Sequence, residues 1–387
     1  MGESLGGVQT SVWRLVNWLG ERRIHFVLFF PRFRGLIGRL SSTERLPILS
    51  PQVTTSAEIS TLWDRLPHVE VLYFLWSIAA ALQIHATNRK NRFSAIHAFG
   101  YRFDGLAALI ASRLLRVPYS VHIKGPGLLL RQILPNTTQR LLRSLEVPLN
   151  LLVLDKASLI LCESEEGRRS IRPYVSRLEK IQLSPPPIRT KDYKFSKKVR
   201  ASVRQKLGIQ GNAVVVGYVG RLSPEKNVAA LVHAISKALP LVRCPLRLMI
   251  IGSGPSEPQL KHLARSSCLE EKISFLGRRH DVPELLQGID IFVLPSFFEG
   301  YSNSLIEAMT AGRAIVASDI HGNREVLGKD GFFFDPNNVK ELTNILVRFA
   351  NNPRLRSRKG LAACDLARKF DLDSVCDDFV EKITNMT

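Results

Sequence analysis

The chain has 387 residues, 45% of them hydrophobic and 23% charged, a globular composition that excludes a disordered chain or a membrane bundle and suits two domains of similar size. Its formal charge of +20 is lopsided, with 30 Lys and Arg against 14 Asp and Glu in residues 1–200 and 24 against 20 in residues 201–387. Such a first half attracts an anionic membrane, a nucleic acid or a phosphorylated or acidic substrate, unless it is a plain solvated surface.

The chain opens MGESLGGVQTSVWRLVNWLGERR, with Gly6-Gly7 at the head of a helical pattern and no strand before it. A glycine pair at that place is either the turn between a strand and a helix, where backbone N–H groups can face an anion, or an ordinary glycine-rich start. The first 23 residues lack the basic head and long apolar run of a secretory signal. Strand candidates follow at 24–30, 93–99, 119–123, 158–164 and 180–187, with helices such as DGLAALIASRLLR between them. The most apolar stretch, VLYFLWSIAAALQI at 71–84, is shorter than the ~20 residues of a spanning helix. It is expected as a buried core helix, with a helix lying in a membrane interface as the alternative. The segment SPPPIRTKDYKFSKKVRASVRQKLG, rich in Pro and then in Lys and Arg, reads as a linker over 188–208.

Beyond it, short apolar runs at 213–222, 246–254, 273–277, 290–296, 314–318 and 331–336 alternate with helical stretches such as VAALVHAISKAL. Near-continuous apolar strands in that alternation predict parallel sheets covered on both faces. The expected fold is therefore α/β, with two doubly wound domains over 1–187 and 209–370. A C-terminal helix over 371–387 has the option of crossing back to the first domain. The five cysteines, odd in number and without CxxC spacing, suggest neither a disulfide framework nor a zinc site and predict the reduced thiols of a cytosolic protein.

Ligands of open parallel sheets bind beyond the carboxyl ends of strands, so the motifs of interest are those just after strands. After VVVGYVG comes GRLSPEKN, where Gly220 ends the strand and Arg221 and Lys226 either converge on a phosphate near a helix N-terminus or are surface cations of a loop, which the spacing alone does not separate. No GxxxxGK[ST] loop is present. The most specific stretch is PSFFEGYSNSLIEAMTAGRAIVASDIHGNREVL. Glu299 ends the loop after a strand, Gly300 lets the backbone turn, Ser302-Asn303-Ser304 start a helix, and Glu307 lies inside it. Paired carboxylates at this spacing suit the vicinal hydroxyls of a sugar or ribose; taken without its EG…E…G…G surroundings, the pair suits capping and helix-surface charge equally. The DLD run at Asp371–Asp373 falls near the C-terminal helix and reads as a helix start rather than a metal-binding DxD.

GGVQ, HIKG, GRLSPEK, GSGP and EGYSNSLIEAM…G, in this order over almost the whole chain, resemble the retaining nucleotide-sugar glycosyltransferases of family 4, also called glycosyltransferases group 1. The resemblance implies a GT-B fold of two facing Rossmann-like domains with a cleft between them, acceptor-binding in the first and nucleotide-sugar-binding in the second. It also implies that the strand feeding Gly6-Gly7, the first of the N-terminal domain, is missing from the chain; either the recorded start is internal to a longer reading frame, which is the expectation, or another segment fills the slot. Residue by residue, it places Arg221 and Lys226 on the donor diphosphate, Glu299 on the donor sugar and Glu307 on the ribose. Amides of Ser302, Asn303, Ser304 and Leu305 would face phosphate or sugar, Gly6 and Gly7 would lie near the phosphate, His122 near the donor sugar, and Arg278 beside the base. Relatives carry a short HG where this chain has HIKGPG, and Lys124 there either touches an anionic acceptor or is solvated.

The implied activity is a metal-independent hexosyltransferase (EC 2.4) without a cofactor. It would move a sugar from a UDP- or GDP-sugar to a glycan or lipid-linked acceptor in surface polysaccharide biosynthesis. In it Glu299, His122, Arg221 and Lys226 serve catalysis, the cations stabilising the charge that builds on the leaving diphosphate. The expected location is the cytoplasm, peripheral to the anionic inner face of the membrane. A sugar-nucleotide epimerase or hydrolase of the same fold, or a catalytically silent relative with a truncated start, are the alternatives. A nucleic-acid partner is not expected, since the basic residues lack a helix-turn-helix, zinc pattern or aromatic RNA-binding motif.

Overall fold

The computed structural model describes residues 7–24, 26, 29–33, 54–59, 69–124, 137–329 and 331–386. It divides into two compact units, one of residues 1–187 with 373–387 and one of residues 188–372.

In the first unit, helix α1 (Gly7–Glu21) buries Ser11, Leu15 and Trp18, whose i, i+4, i+7 spacing sets them on one face. Strands β1 (Phe29–Phe33) and β2 (Thr54–Ile59) pair in parallel, with the register shifting between Pro31 and Arg32. Proline has no N–H to give the ladder, which accounts for the irregularity. The strand expected at 24–30 thus lies at 29–33, and β2, a polar TTSAEI run, gives no apolar signal in the sequence.

Helix α2 (Val69–Asn91) buries Trp76, Ala80, Ala81 and Ile84 against Ala107 and Ala111, while Phe74, Leu75 and Leu82 are exposed. It is the core helix expected at 71–84, and no described helix is long and apolar enough to cross a membrane. Then β3 (Ile96–Ala98), α3 (Phe103–Leu115), β4 (Tyr119–Ile123), α4 (Thr137–Lys156), β5 (Leu159–Cys162), α5 (Glu165–Ile171) and β6 (Ile181–Leu183) alternate. Their strands form one parallel sheet in the order β3-β4-β5-β6 around a core that includes Val121, Ile123, Val153, Leu154 and Ile160. The last helix, Leu372–Thr384, ties to this unit: Trp18 Nε1 donates to Asp373 at 2.8 Å and Lys382 Nζ to the Leu183 carbonyl at 2.7 Å.

The segment 188–208, expected as a linker, is instead folded into the second unit. Ile188 and Tyr193 are buried, and helix α6 (Lys197–Lys206) buries Val203 and sends Arg200 and Arg204 to the two oxygens of Asp290 at 2.6 and 2.5 Å. Its basic residues signalled solvent in the sequence, but two of them have a carboxylate partner that is remote in sequence.

The rest of the second unit runs β7 (Val214–Val219), α7 (Val228–Ala238), β8 (Leu246–Ile251), α8 (Glu257–Ser266), β9 (Ile273–Phe275), α9 (Val282–Gly288) and β10 (Ile291–Leu294). It continues α10 (Asn303–Thr310), β11 (Ala314–Ser318), α11 (His321–Leu327) and β12 (Phe332–Phe334), before two helices, Val339–Ala350 and Pro353–Ala367. All six strands fall within the predicted runs, because fully buried parallel strands are apolar at nearly every position. The sheet is parallel in the order β12-β11-β10-β7-β8-β9. The chain winds outward from β7 to β9, then returns beside β7 and winds the other way from β10. The switch point lies between β7 and β10, and there an open α/β sheet leaves a crevice at its carboxyl edge.

Candidate functional site

Both specific motifs emerge at that switch point. Arg221 leaves the end of β7 exposed to solvent, and Lys226 closes a 3-10 turn, Pro224–Lys226, before α7. Asn227, in left-handed conformation at φ 51°, redirects the chain into α7, and its side-chain amide donates to the Pro336 carbonyl at 2.8 Å. From the neighbouring strand, the loop after β10 carries Ser296 and Glu299. Lys226 Nζ meets Glu299 Oε1 at 2.7 Å, and Ser296 Oγ donates to the same oxygen at 2.7 Å. The Phe297 amide donates to the Glu225 carbonyl at 2.9 Å, so backbone and side chains both tie the two loops. Glu225 is held below the usual carboxylate range, chiefly by the Ser223 hydroxyl.

Two close backbone approaches explain glycines in the motifs. Gly252, after β8, has φ +135°, and a Cβ there would sit 1.8 Å from the Gly220 carbonyl oxygen, so the loops after β7 and β8 pack main chain to main chain. Gly322, in the first turn of α11, lies against the Glu299 and Gly300 carbonyls, each 2.5 Å from a Cβ built on it. Helix α11 thereby backs the loop that carries Glu299. Tyr301 extends this support by donating to Glu325 Oε1 at 2.9 Å.

Helix α10 begins where the sequence placed it. Ser302 is its N-cap, its hydroxyl accepts from the Leu305 amide at 3.4 Å, and it lies 3.1 Å from Ser304 Oγ. The Leu305 amide, expected to face a ligand, is therefore given to the cap, and the Leu305 side chain is buried. Glu307 lies within α10 and is 9% exposed. Arg278 is exposed in the loop between β9 and α9.

The first unit holds the other candidates. His122, near the end of β4, is buried, and neither ring nitrogen makes a hydrogen bond of normal geometry among the described residues. Burial, then the Lys124 charge, then His97 hold it well below the ordinary histidine value, with the Ser184 main chain pulling weakly the other way. His97 on β3 places Nδ1 2.7 Å from Ser120 Oγ, and burial, assisted by Lys124, lowers its pKa to about 3. Lys124 is not solvated: its side chain is 7% exposed and meets Glu163, itself 9% exposed, at 3.4 Å. Gly7 opens α1, and Gly6 lies outside the described residues.

The structure thus brings together Lys226 and Glu299, with Gly220, Arg221, Gly300, Ser302, Asn303 and Ser304 on the same carboxyl edge. His122 and Lys124 belong to the other unit. Sequence reasoning missed Ser296, Glu163 and the Tyr301–Glu325 bond. The carboxylates of CESEE directly after a strand were the available signal for Glu163. Among the described residues no group of three or more His, Cys, Asp or Glu side chains is placed to hold a metal ion.

Two Rossmann-like α/β units, the second with a cation and carboxylate paired at its switch point, give the GT-B fold, and the family matches make it that of a glycosyltransferase. Residues 6–187 match the Glycosyl transferase 4-like domain and residues 213–352 match Glycosyl transferases group 1. The chain belongs to the group 1 glycosyltransferases. It is 24% identical to UDP-Gal:alpha-D-GlcNAc-diphosphoundecaprenol alpha-1,3-galactosyltransferase of Escherichia coli over 79% of each chain. It is also 24% identical to D-inositol 3-phosphate glycosyltransferase of Stackebrandtia nassauensis, over 97% of this chain and 86% of that one. Among solved structures, Anabaena HepE in complex with UDP superposes with a TM-score of 0.78 at 21% identity, covering 100% of this chain and 98% of that one. WaaG, a glycosyltransferase involved in lipopolysaccharide biosynthesis, does so with a TM-score of 0.73 at 17% identity, covering 99% and 97%.

Proposed function

We propose that this glycosyltransferase is a retaining, metal-independent enzyme that moves a hexose from a nucleoside-diphosphate sugar to a glycan or lipid-linked acceptor in surface polysaccharide biosynthesis. The observation that carries the reading is the Lys226–Glu299 pair at the β7/β10 switch point, with Arg221 exposed beside it. Arg221 and Lys226 bind the diphosphate and stabilise the charge that develops on it as the sugar departs. Glu299 accepts hydrogen bonds from hydroxyls of the donor sugar, and Glu307 from the ribose. Amides at the start of α10 add partial positive charge toward the phosphates. His122 contacts the donor sugar.

A uridine donor is favoured because HepE was solved with UDP, with UDP and glucose, and with UDP-glucose, and because the E. coli relative is named for UDP-Gal. The diphosphoundecaprenol acceptor of that relative supports a lipid-linked acceptor here. A peripheral site at an anionic membrane is supported by the basic first half and by α2, which carries exposed Phe74, Leu75 and Leu82 on the same helix as Arg89 and Lys90.

Thermal unfolding with UDP-, GDP- and ADP-sugars, with and without EDTA, tests the donor site. UDP-sugars should protect the chain by mass action, equally in EDTA, and Glu299→Ala should abolish that protection. If no nucleotide sugar protects, or if Glu299→Ala leaves protection and transfer intact, the assignment fails.

A further inference from the structure

The carboxyl edge of the first unit's sheet gathers four titratable side chains from three adjacent strands and the residues just after them. His97 comes from β3, His122 from β4, Lys124 follows β4, and Glu163 follows β5. His97 and His122 lie edge to face with ring centroids 5.8 Å apart. Phe99 stacks on His122 at 6.2 Å and lies beneath Lys124 Nζ at 5.4 Å, while Phe379 of the last helix meets His97 at 4.9 Å.

Two observations point to a ligand. The buried His122 makes no hydrogen bond of normal geometry at either nitrogen among the described residues, the Ser184 main chain acting on it only weakly, and the buried His97 makes none at Nε2. Buried polar atoms without partners are uncommon in folded chains, and a hydroxyl satisfies them without adding charge. The charge count at the same edge decides the class of ligand. Lys124 and Glu163 are both under one-tenth exposed and cancel each other, and the two imidazoles are held neutral. An anion entering here would lose its hydration and find no uncompensated cation.

We propose that Lys124 and Glu163 are positioning residues, a buried and charge-balanced pair that shapes the edge around His122 for the uncharged hydroxyls of a sugar and against an anionic group. Naming a sugar as the occupant rests on the transferase reading above; the rejection of anions does not. Glu163 is what converts Lys124 from an anion receptor into a neutral frame. Among the described titratable groups, Lys124 and His97 act on His122 by charge, and Glu163 acts through Lys124.

The test uses the full chain with 13C-labelled histidine, the His122 resonance being assigned by His122→Gln, and sulfate as the anion probe. In the unmodified chain His122 should stay neutral well below the ordinary histidine value of 6.5 and ignore sulfate. Glu163→Gln, which leaves an unbalanced buried cation, should gain a sulfate response at the His122 resonance, tightening sulfate binding about tenfold or more. Lys124→Met should let His122 protonate at a higher pH than in the unmodified chain. The double variant Lys124→Met/Glu163→Gln, again neutral, should ignore sulfate, and it serves where Glu163→Gln alone does not fold. The proposal is overturned if the unmodified His122 responds saturably to sulfate, if it titrates near 6.5, or if the folded variants respond as the unmodified chain does. In transfer assays the acid limb of kcat/KM should move upward in pH for Lys124→Met. A chain that shows the expected resonances but transfers no sugar refutes the transferase reading and leaves the charge-balance proposal standing.

Discussion

Replacing Lys226 with Met removes the cation from Glu299 and keeps most of the aliphatic stem. At the observed 2.7 Å, and with an effective dielectric of ~20, the attraction is about 6 kcal/mol, most of it offset by the desolvation of both ions. Breaking a fully buried pair costs about 3–5 kcal/mol, but the Lys226 side chain is 22% exposed against 10% for Glu299, so a loss of about 1–3 kcal/mol is expected. After the substitution Glu299 keeps only the Ser296 hydroxyl among the partners described for its Oε1. Urea unfolding of the single variants Lys226→Met and Glu299→Gln and of their combination measures the coupling directly, and it should exceed about 1 kcal/mol. The same Lys226→Met chain should lose thermal protection by UDP-glucose and transfer sugar roughly a hundred- to a thousandfold more slowly, as when one preplaced charge-stabilising group is removed. A coupling below about 0.3 kcal/mol, or transfer within about threefold of the unmodified chain, refutes the reasoning.

Gly322→Ala sets a Cβ against two carbonyls, and should destabilise the chain by about 1–3 kcal/mol in urea while weakening donor protection, because Glu299 and Gly300 must move. Asp290→Asn leaves Arg200 and Arg204 without their shared carboxylate and should lower the urea midpoint by the equivalent of about 3 kcal/mol, with donor affinity per folded molecule unchanged. The Asp155 carboxyl is depressed to about 2, first by the Ser176 hydroxyl and then by Lys156. A depressed carboxylate stabilises the fold above its unfolded value near 3.8, and that contribution disappears as pH falls toward 2. Ser176→Ala should therefore be less stable than the unmodified chain at pH 6, with the difference shrinking in urea titrations at successively lower pH down to about 2.

The second unit is the more legible in sequence, for local reasons. Each strand from β7 to β12 is an apolar run, and α10 carries its own start signal in Ser302, three residues before the amide it caps. Glu299 and Glu307 are recognisable by their spacing within one motif. The partner of Glu299 is not, because Lys226 is 73 residues away and the two meet only after β10 returns to the side of β7. Strand order is a property of the folded sheet, and nothing in GRLSPEKN specifies which loop will lie beside it. The stretch at 188–208 misleads for the complementary reason: composition reports exposure, whereas Arg204 is buried by virtue of Asp290, 86 residues on. β2 is missed because Ala57 and Ile59 are the only apolar residues in TTSAEI, too short an alternation to read as a strand.

The same limit governs what a lysine means at a sheet edge. Lys124 and Lys226 both follow a parallel strand within a few residues, and in sequence each is simply a cation near a candidate ligand site. Folding distinguishes them. Lys124 is almost wholly buried against one carboxylate, so its charge is spent on Glu163 and cannot also attract an anion without exposing that carboxylate to an unfavourable neighbour. Lys226 also holds a carboxylate, but it keeps about a fifth of its surface in solvent and has Arg221 exposed nearby; the switch-point edge thus sets two solvent-accessible cations against Glu299 and the exposed Glu225. Under the proposed function, a diphosphate would share Lys226 and engage Arg221 without breaking a fully buried pair. The two edges therefore differ in access rather than in net charge: Arg221 and Lys226 reach solvent at the β7/β10 edge, whereas Lys124 is enclosed with Glu163 at the β4/β5 edge, and this difference supports the proposed placement of the phosphates on the second unit.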